Sequence, residues 1–594
     1  MESALTGTVT KLAKMRAAPL ILELDLTDGL LEARPAELLS AVLTRRQNSL
    51  AEIVSGLKQA RSDDRVKALI VKVGGRPIGL GMVQELRGAV EQFRAAGKVT
   101  VAWADTFGEF SAGNVPYYLA TAFETIYLQP SGDLGLTGLA VERVFLRGAL
   151  DKLGVTFEVG ARHEYKSAAE QLTERGFSGP AREATERMTK SVTAQLAEAV
   201  AKRGQISADD ADQLINNGPY LAEQALAAGL VDALGYRDEV YAAVRKRAGS
   251  DAMLVYLGRY QRSRELAQRA RRMTSPRGPV VALIHATGPI RRGRSGRSAM
   301  SGSAMGSDSI AAAIRAATAD PGVRAIVLRV NSPGGSYVAS DTIWREVVRA
   351  RTAGKPVVVS MSDVAASGGY FISMAADTIV AQPGTVTGSI GVVVGKPVLS
   401  ELLGKAGVST DSIIQGQHAT MFSTSHPFTE EEWALVNSWL DHIYADFTGK
   451  VATGRRLSAE RVHELARGRV WTGSDALEHG LVDELGGLET AAAIARRRAG
   501  LPATAPLVPF PRMSPLERFR PTTSSEDRRA AARLAGGTWA GVISAAGTGG
   551  LAAVAGAVGA DLLAESWGPA WRLAARCGLP QDGPLMLPGS WTFH

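Results

Sequence analysis

Ser367 stands in the run Asp363–Tyr370 (DVAASGGY), a hydroxyl among small residues with two glycines directly after it. A helix is predicted from Tyr370 onward, so the serine sits near a helix start. There a nucleophile gains from the positive potential of free N–H groups, and the following N–H can help hold an oxyanion. That is the chemistry of acyl transfer. A serine that only caps the helix would give the same pattern. Upstream, Asn331-Ser332-Pro333-Gly334-Gly335 follows the run VRAIVLRV. A Gly-Gly pair lets backbone N–H groups face a ligand without Cβ obstruction, which also suits an oxyanion. A tight strand-to-helix turn reads the same way.

A nucleophilic serine needs a base. The eight histidines (His163, His285, His418, His426, His442, His463, His479 and His594) show no spacing that ties one to Ser367. The other option is Lys166, in His163–Ala169 (HEYKSAA). A lysine acts as a general base when burial lowers its pKa towards neutrality; otherwise it is a surface charge. These residues taken singly leave both readings open.

An internal repeat connects them. Val66–Val73 (VKALIVKV) answers Val323–Val330 (VRAIVLRV), Gln129-Pro130-Ser131 answers Gln382-Pro383-Gly384, and Gly229–Asp232 (GLVD) answers Gly480–Asp483 (GLVD). Anchored on the Gln-Pro pairs, Asn114 falls opposite Ser367, and Lys166 falls opposite Ala419. One half keeps a serine and the other keeps a lysine. At the place of the Ser332–Gly335 turn the first half reads Gly74-Gly75-Arg76-Pro77.

The elements that must position these residues also come twice. Pro19–Leu26 and Pro279–His285 open the halves as strands, each followed by a helical pattern and then the VKALIVKV or VRAIVLRV strand. A second helix ends at Gly97-Lys98 or Gly354-Lys355, before strands at Val99–Trp103 and Pro356–Met361. Apolar strands alternating with helices predict an α/β fold: parallel sheets covered by helices, with sites at the strand C-termini. Gly288–Asp308, Arg-rich and then Ser/Gly-rich, reads as a mobile loop. Residues 502–530 read as a linker to a C-terminal appendix.

With 594 residues, 45% hydrophobic and 21% charged, the chain is long enough for several cores. A single cysteine, Cys577, excludes an internal disulfide framework and a cysteine metal cage. Much of the +8 net charge is local: Arg259, Arg262, Arg264, Arg269, Arg271, Arg272 and Arg277, then Arg291, Arg292, Arg294 and Arg297. This stretch reads as a solvated inter-repeat linker or as a contact with anionic lipid headgroups. No nucleic-acid-binding module is visible, and only Tyr256 and Tyr260 offer stacking. Residues 1–17 carry Glu2, Lys11, Lys14 and Arg16 without the apolar core of a signal or anchor segment. Ala535–Ala560 is uncharged and long enough to span a bilayer, but its Ala/Gly composition predicts a soluble or peripheral tail.

The runs Asp363–Tyr370, Ser332–Gly335, Thr387–Gly391 (TGSIG), Tyr165–Ser167 (YKS) and Val470–Gly473 (VWTG) together resemble the long form of the signal peptide peptidase A family, also called protease IV. The resemblance covers about 18–500. It implies tandem ClpP/crotonase-like repeats: 18–250 supplying the lysine, a basic linker 251–278, 279–500 supplying the serine, and a linker and tail at 501–594. It further implies a Ser-Lys dyad with Ser367 as nucleophile and Lys166 as base, an oxyanion hole from Gly368, Gly334 and Gly335, and Ser389 orienting the lysine. No cofactor or metal is implied. The expected substrates are cleaved signal peptides and other extended hydrophobic peptides, and the expected assembly is a bowl-like homotetramer enclosing the sites. Association with a membrane is expected, peripheral and through anionic lipid, with a cytoplasmic location as the alternative. A crotonase-type acyl-CoA enzyme would share the fold but would need a CoA pocket and no dyad. A non-catalytic scaffold would need neither Ser367 nor Lys166.

Overall fold

The computed structural model describes residues 18–33, 47–273, 278–298, 302–511 and 585–586. The chain forms two compact units. One comprises residues up to Val141 together with Thr189–Arg277; the other comprises Glu142–Met188 together with the chain from Gly278 onward. The units therefore do not follow the repeat boundary, because a first-half segment of the sequence is built into the second unit.

The first unit holds a six-stranded parallel sheet. Its order is Ala233–Leu234, Thr125–Leu128, Val99–Ala104, Val66–Lys72, Leu20–Asp25 and Met253–Tyr256. The main sheet of the second unit has the same core order: Glu484–Leu485, Thr378–Ala381, Val357–Ala366, Val323–Ser332, Val280–Thr287 and Leu507–Pro509. The predicted duplication is thus present strand for strand. Parallel strands covered on both faces must be apolar on both. In Val323–Ser332, Ile326, Leu328 and Val330 enter one core, while Ala325 and Val327 enter the opposite one. In Val66–Lys72, Leu69 and Val71 pack on one side, and Ala68 and Ile70 on the other.

Buried polar ties repeat as well. Tyr117 donates its hydroxyl to the Leu230 carbonyl at 2.8 Å, and Tyr370 donates to that of Leu481 at 3.0 Å. The Asp232 carboxylate accepts from the Ile126 N–H, and Asp483 accepts from the Ile379 N–H. Burial pushes both the Tyr117 and Tyr370 phenols up.

Two stretches expected to be irregular carry regular structure. Met253–Tyr256 is a strand of the first sheet and Leu257–Met273 is a helix, so most of the basic linker belongs to the first unit. Within the expected loop, Ile290–Arg291, Gly296–Ser298 and Gly302–Gly306 are short strands of a small sheet. Met253–Tyr256 and the three short strands each form by pairing at an available strand edge. Ala535–Ala560 and most of the expected linker at 502–530 lie outside the described residues. Among the described residues, no helix is long and apolar enough to cross a membrane.

Candidate active site

In the second unit, Val357–Ala366 ends with its last residue paired to Gly388 of the parallel neighbour Val386–Gly388. Ser367 and Ser389 are the residues that follow, so two adjacent strands deliver two serines at one sheet edge. The Ser367 N–H donates to the Gly388 carbonyl at 2.8 Å. Ser367 adopts φ 54° and ψ −114°, a conformation L-residues rarely hold and which costs about 1–3 kcal/mol. Its hydroxyl makes no capping bond to the short helix Gly368–Phe371, so the capping reading does not apply.

The lysine arrives on a different element. Thr156–Arg162 pairs antiparallel with Val392–Val398, with Arg162 opposite Val392. That register places the residues after Arg162 beside those before Val392, so Lys166 meets Ser389. Lys166 Nζ lies 2.9 Å from Ser367 Oγ, 3.0 Å from the Ser389 carbonyl oxygen and 3.0 Å from Ser389 Oγ. Ser367 and Ser389 are fully buried, and Lys166 is only 5% exposed, so it is no surface charge. Burial holds its amine well below the usual lysine range. Among the described residues, no histidine is hydrogen-bonded to Ser367.

The three oxyanion candidates also converge. A Cβ on Gly368 would fall 3.1 Å from both the Gly334 Cα and the Gly335 nitrogen. A Cβ on Gly369 would meet the Ser332 carbonyl oxygen at 2.5 Å. The glycines of both motifs are therefore needed for this close approach. The Gly334 N–H already donates to Ser332 Oγ at 3.2 Å. On its outer edge, Gly334–Gly335 pairs antiparallel with Leu585–Met586.

Sequence reasoning missed the segment Arg467–Arg469. Gly468, at φ 87°, lies so close to Lys166 that a Cβ on it would fall 2.5 Å from the Lys166 nitrogen. The Gly468 N–H donates to the Ile390 carbonyl, and the Arg469 carbonyl accepts from the Ser389 N–H at 2.7 Å. The segment thus ties the lysine loop to the Ser389 turn. The Arg469 guanidinium reaches Glu183, whose carboxylate also accepts from the Tyr165 hydroxyl beside Lys166. An Ala-Arg-Gly-Arg run before a strand gives no signal of that role.

The family model of Peptidase family S49 matches residues 92–251 and 349–502, one segment in each half. The chain belongs to peptidase family S49. It is 33% identical over 483 residues to the chloroplastic serine protease SPPA of Arabidopsis thaliana, spanning 81% of this chain and 69% of that one. Protease 4 of Salmonella typhi is 34% identical over 466 residues, spanning 77% and 73% of the two chains. Protease 4 of Haemophilus influenzae is 32% identical over 459 residues, spanning 75% and 72%. This S49 chain is a serine protease homologous to the signal peptide peptidase and protease 4 enzymes.

Proposed function

We propose that Ser367 and Lys166 form the catalytic dyad of an endopeptidase that degrades cleaved signal peptides and other extended hydrophobic peptides. The observation that carries this is the 2.9 Å approach of Lys166 Nζ to Ser367 Oγ, both buried, with burial as the cause of the lowered lysine pKa. A neutral amine has two N–H groups and one lone pair. The carbonyl and hydroxyl oxygens of Ser389 accept the two N–H groups, which turns the lone pair to the Ser367 hydroxyl.

Ser367 Oγ attacks the scissile carbonyl carbon as its proton passes to Lys166. The ammonium so formed is held by three oxygen acceptors. It then gives that proton to the leaving amine as the C–N bond breaks, leaving an acyl-enzyme. Water attacks the ester, again with Lys166 as base, and Ser367 regains its proton. The oxyanion falls to the Gly368 N–H, with the Gly334–Gly335 turn packed beside it. An extended substrate would displace Leu585–Met586 and take its place as a strand on Gly334–Gly335.

The reading also carries assembly as a homotetramer and peripheral contact with anionic membranes. Exposed Ile413, Phe422 and Trp439 favour the first, and Arg262 on the helix Leu257–Met273 favours the second. Sedimentation tests assembly, and salt-sensitive binding to anionic but not neutral vesicles tests the membrane contact.

The deciding experiment is intact-mass labelling with a fluorophosphonate. Wild type should take up one label, and Ser367→Ala and Lys166→Ala should take up none while remaining folded. Labelling of Ser367→Ala would remove this serine from the mechanism. Undiminished labelling of Lys166→Ala would remove the lysine.

A further inference from the structure

The first unit has no nucleophile at the position equivalent to Ser367. Asn114 stands there, buried, and its amide is occupied: Oδ1 accepts from the Thr137 N–H at 3.1 Å, and Nδ2 donates to the Gly138 carbonyl at 2.8 Å. The frame of the site is nevertheless retained. A Cβ on Gly75 would fall 2.3 Å from the Thr27 carbonyl oxygen, just as one on Gly335 would fall 2.2 Å from that of Ile290. The Arg76 N–H donates to Thr27 at 3.0 Å, and the Ser336 N–H donates to Ile290 at 2.9 Å. Gly74–Gly75 therefore lies against Thr27 as Gly334–Gly335 lies against Ile290.

The outer edges of these two glycine pairs differ. In the second unit that edge carries the antiparallel strand Leu585–Met586. In the first, Gly74 and Gly75 border a cleft of about 280 Å³, whose walls include Pro77, Ile78, Val83 and Val115. Among the described residues, the N–H groups of Gly74 and Gly75 make no hydrogen bond. The loop between the lining residues Glu109 and Ser111 presents Phe110 with its ring fully exposed. A cleft near the ~300 Å³ lower end of ligand sites admits a few side chains, not a folded surface.

We propose that this cleft binds an extended apolar peptide without cutting it, by adding the peptide as an antiparallel strand to Gly74–Gly75. The glycine backbone supplies the hydrogen bonds, the apolar walls take alternate side chains, and Phe110 covers the bound chain. Arg76 and Glu109, which also line the cleft, are of opposite charge, so the selection is for backbone and apolar side chains. The choice of a peptide as occupant rests on the peptidase reading above and on the strand that fills the equivalent edge in the second unit.

The test uses the full chain carrying Ser367→Ala, so that nothing is cleaved, and a leucine-rich decapeptide bearing benzoylphenylalanine. After irradiation, adducts are mapped by mass spectrometry. Adducts are expected in two sets, one around residues 74–78 and 108–115 and one around 334–338. Phe110→Asp, at an exposed position, should lower the first set about tenfold and leave the second, as should Ala112→Trp, which fills the cleft. Thermal melting confirms that both variants fold. A decapeptide N-methylated at alternate residues should lose the first set, because strand addition needs its N–H groups. Adducts in the second unit alone would overturn this inference and leave the peptidase reading intact. Adducts in the first unit alone would support it and count against the proposed substrate path past Gly334–Gly335. No adducts, or a first set unmoved by both substitutions, would overturn it.

Discussion

Replacing Gly468 by alanine should disable the enzyme without touching serine or lysine. The new Cβ would lie 2.5 Å from the Lys166 nitrogen and Cβ and 2.6 Å from its Cα. Unstrained carbon contacts need about 3.5 Å, so the two segments must separate by about 1 Å. Two of the three obstructing atoms are backbone, and Gly468 is itself bonded to the Ile390 carbonyl, so no side-chain rotation relieves the clash. Lys166 Nζ stands 2.9 Å from Ser367 Oγ, and a further 1 Å would take it beyond hydrogen-bonding distance. A misplacement of that size costs on the order of 10²-fold in rate, or about 2.7 kcal/mol of barrier. The φ of 87° adds about 1–2 kcal/mol of destabilisation for a residue with a Cβ. The assay is the second-order rate of fluorophosphonate labelling at Ser367, with thermal melting alongside. Gly449→Ala is the control, since nothing lies within 4 Å of its added Cβ and it sits inside the helix Glu430–Arg455. Labelling of a folded Gly468→Ala within threefold of wild type would refute the claim that this contact positions the lysine.

Lys166→Met should lower turnover by about 10²–10⁴-fold, the usual range for loss of a general base. In wild type, kcat/KM should rise with pH as Lys166 loses its proton, with a midpoint below the ordinary lysine value of 10.5. A profile still rising at that value would show that burial does not set the base. Stability should follow with a defined sign: the unfolded lysine keeps its proton up to about 10.5, while the folded one gives it up at lower pH. Wild type should therefore gain stability relative to Lys166→Met as pH is raised towards that value, and denaturant titrations across the range check this. Asn114→Ala should leave fluorophosphonate labelling intact but lower stability by about 1–3 kcal/mol, because it removes both hydrogen bonds of a buried amide, each worth about 0.5–1.5 kcal/mol. Equal unfolding midpoints would show that the amide does not hold its loop.

The amino-acid sequence alone determined the repeated architecture. Strands such as VKALIVKV and VRAIVLRV are apolar on both faces and recur with helical runs between them, a pattern that only a doubly covered parallel sheet satisfies. It also made Ser367, Lys166 and the two glycine pairs legible as candidates, because the repeat exposes what one half keeps and the other lacks. Tertiary structure decided the rest. Ser367's positive φ, the burial that lowers the Lys166 pKa, and the convergence of Ser389 depend on strand register, which brings together residues 201 positions apart in sequence. Gly468 was invisible because its role is to be absent from a space that Lys166 fills, and no local pattern encodes a neighbour so distant in the chain. For the same reason, sequence could not reveal that Glu142–Met188 folds with the second half. Its strand Thr156–Arg162 finds its partner in Val392–Val398, and strand pairing at that separation is settled by packing and not by propensity.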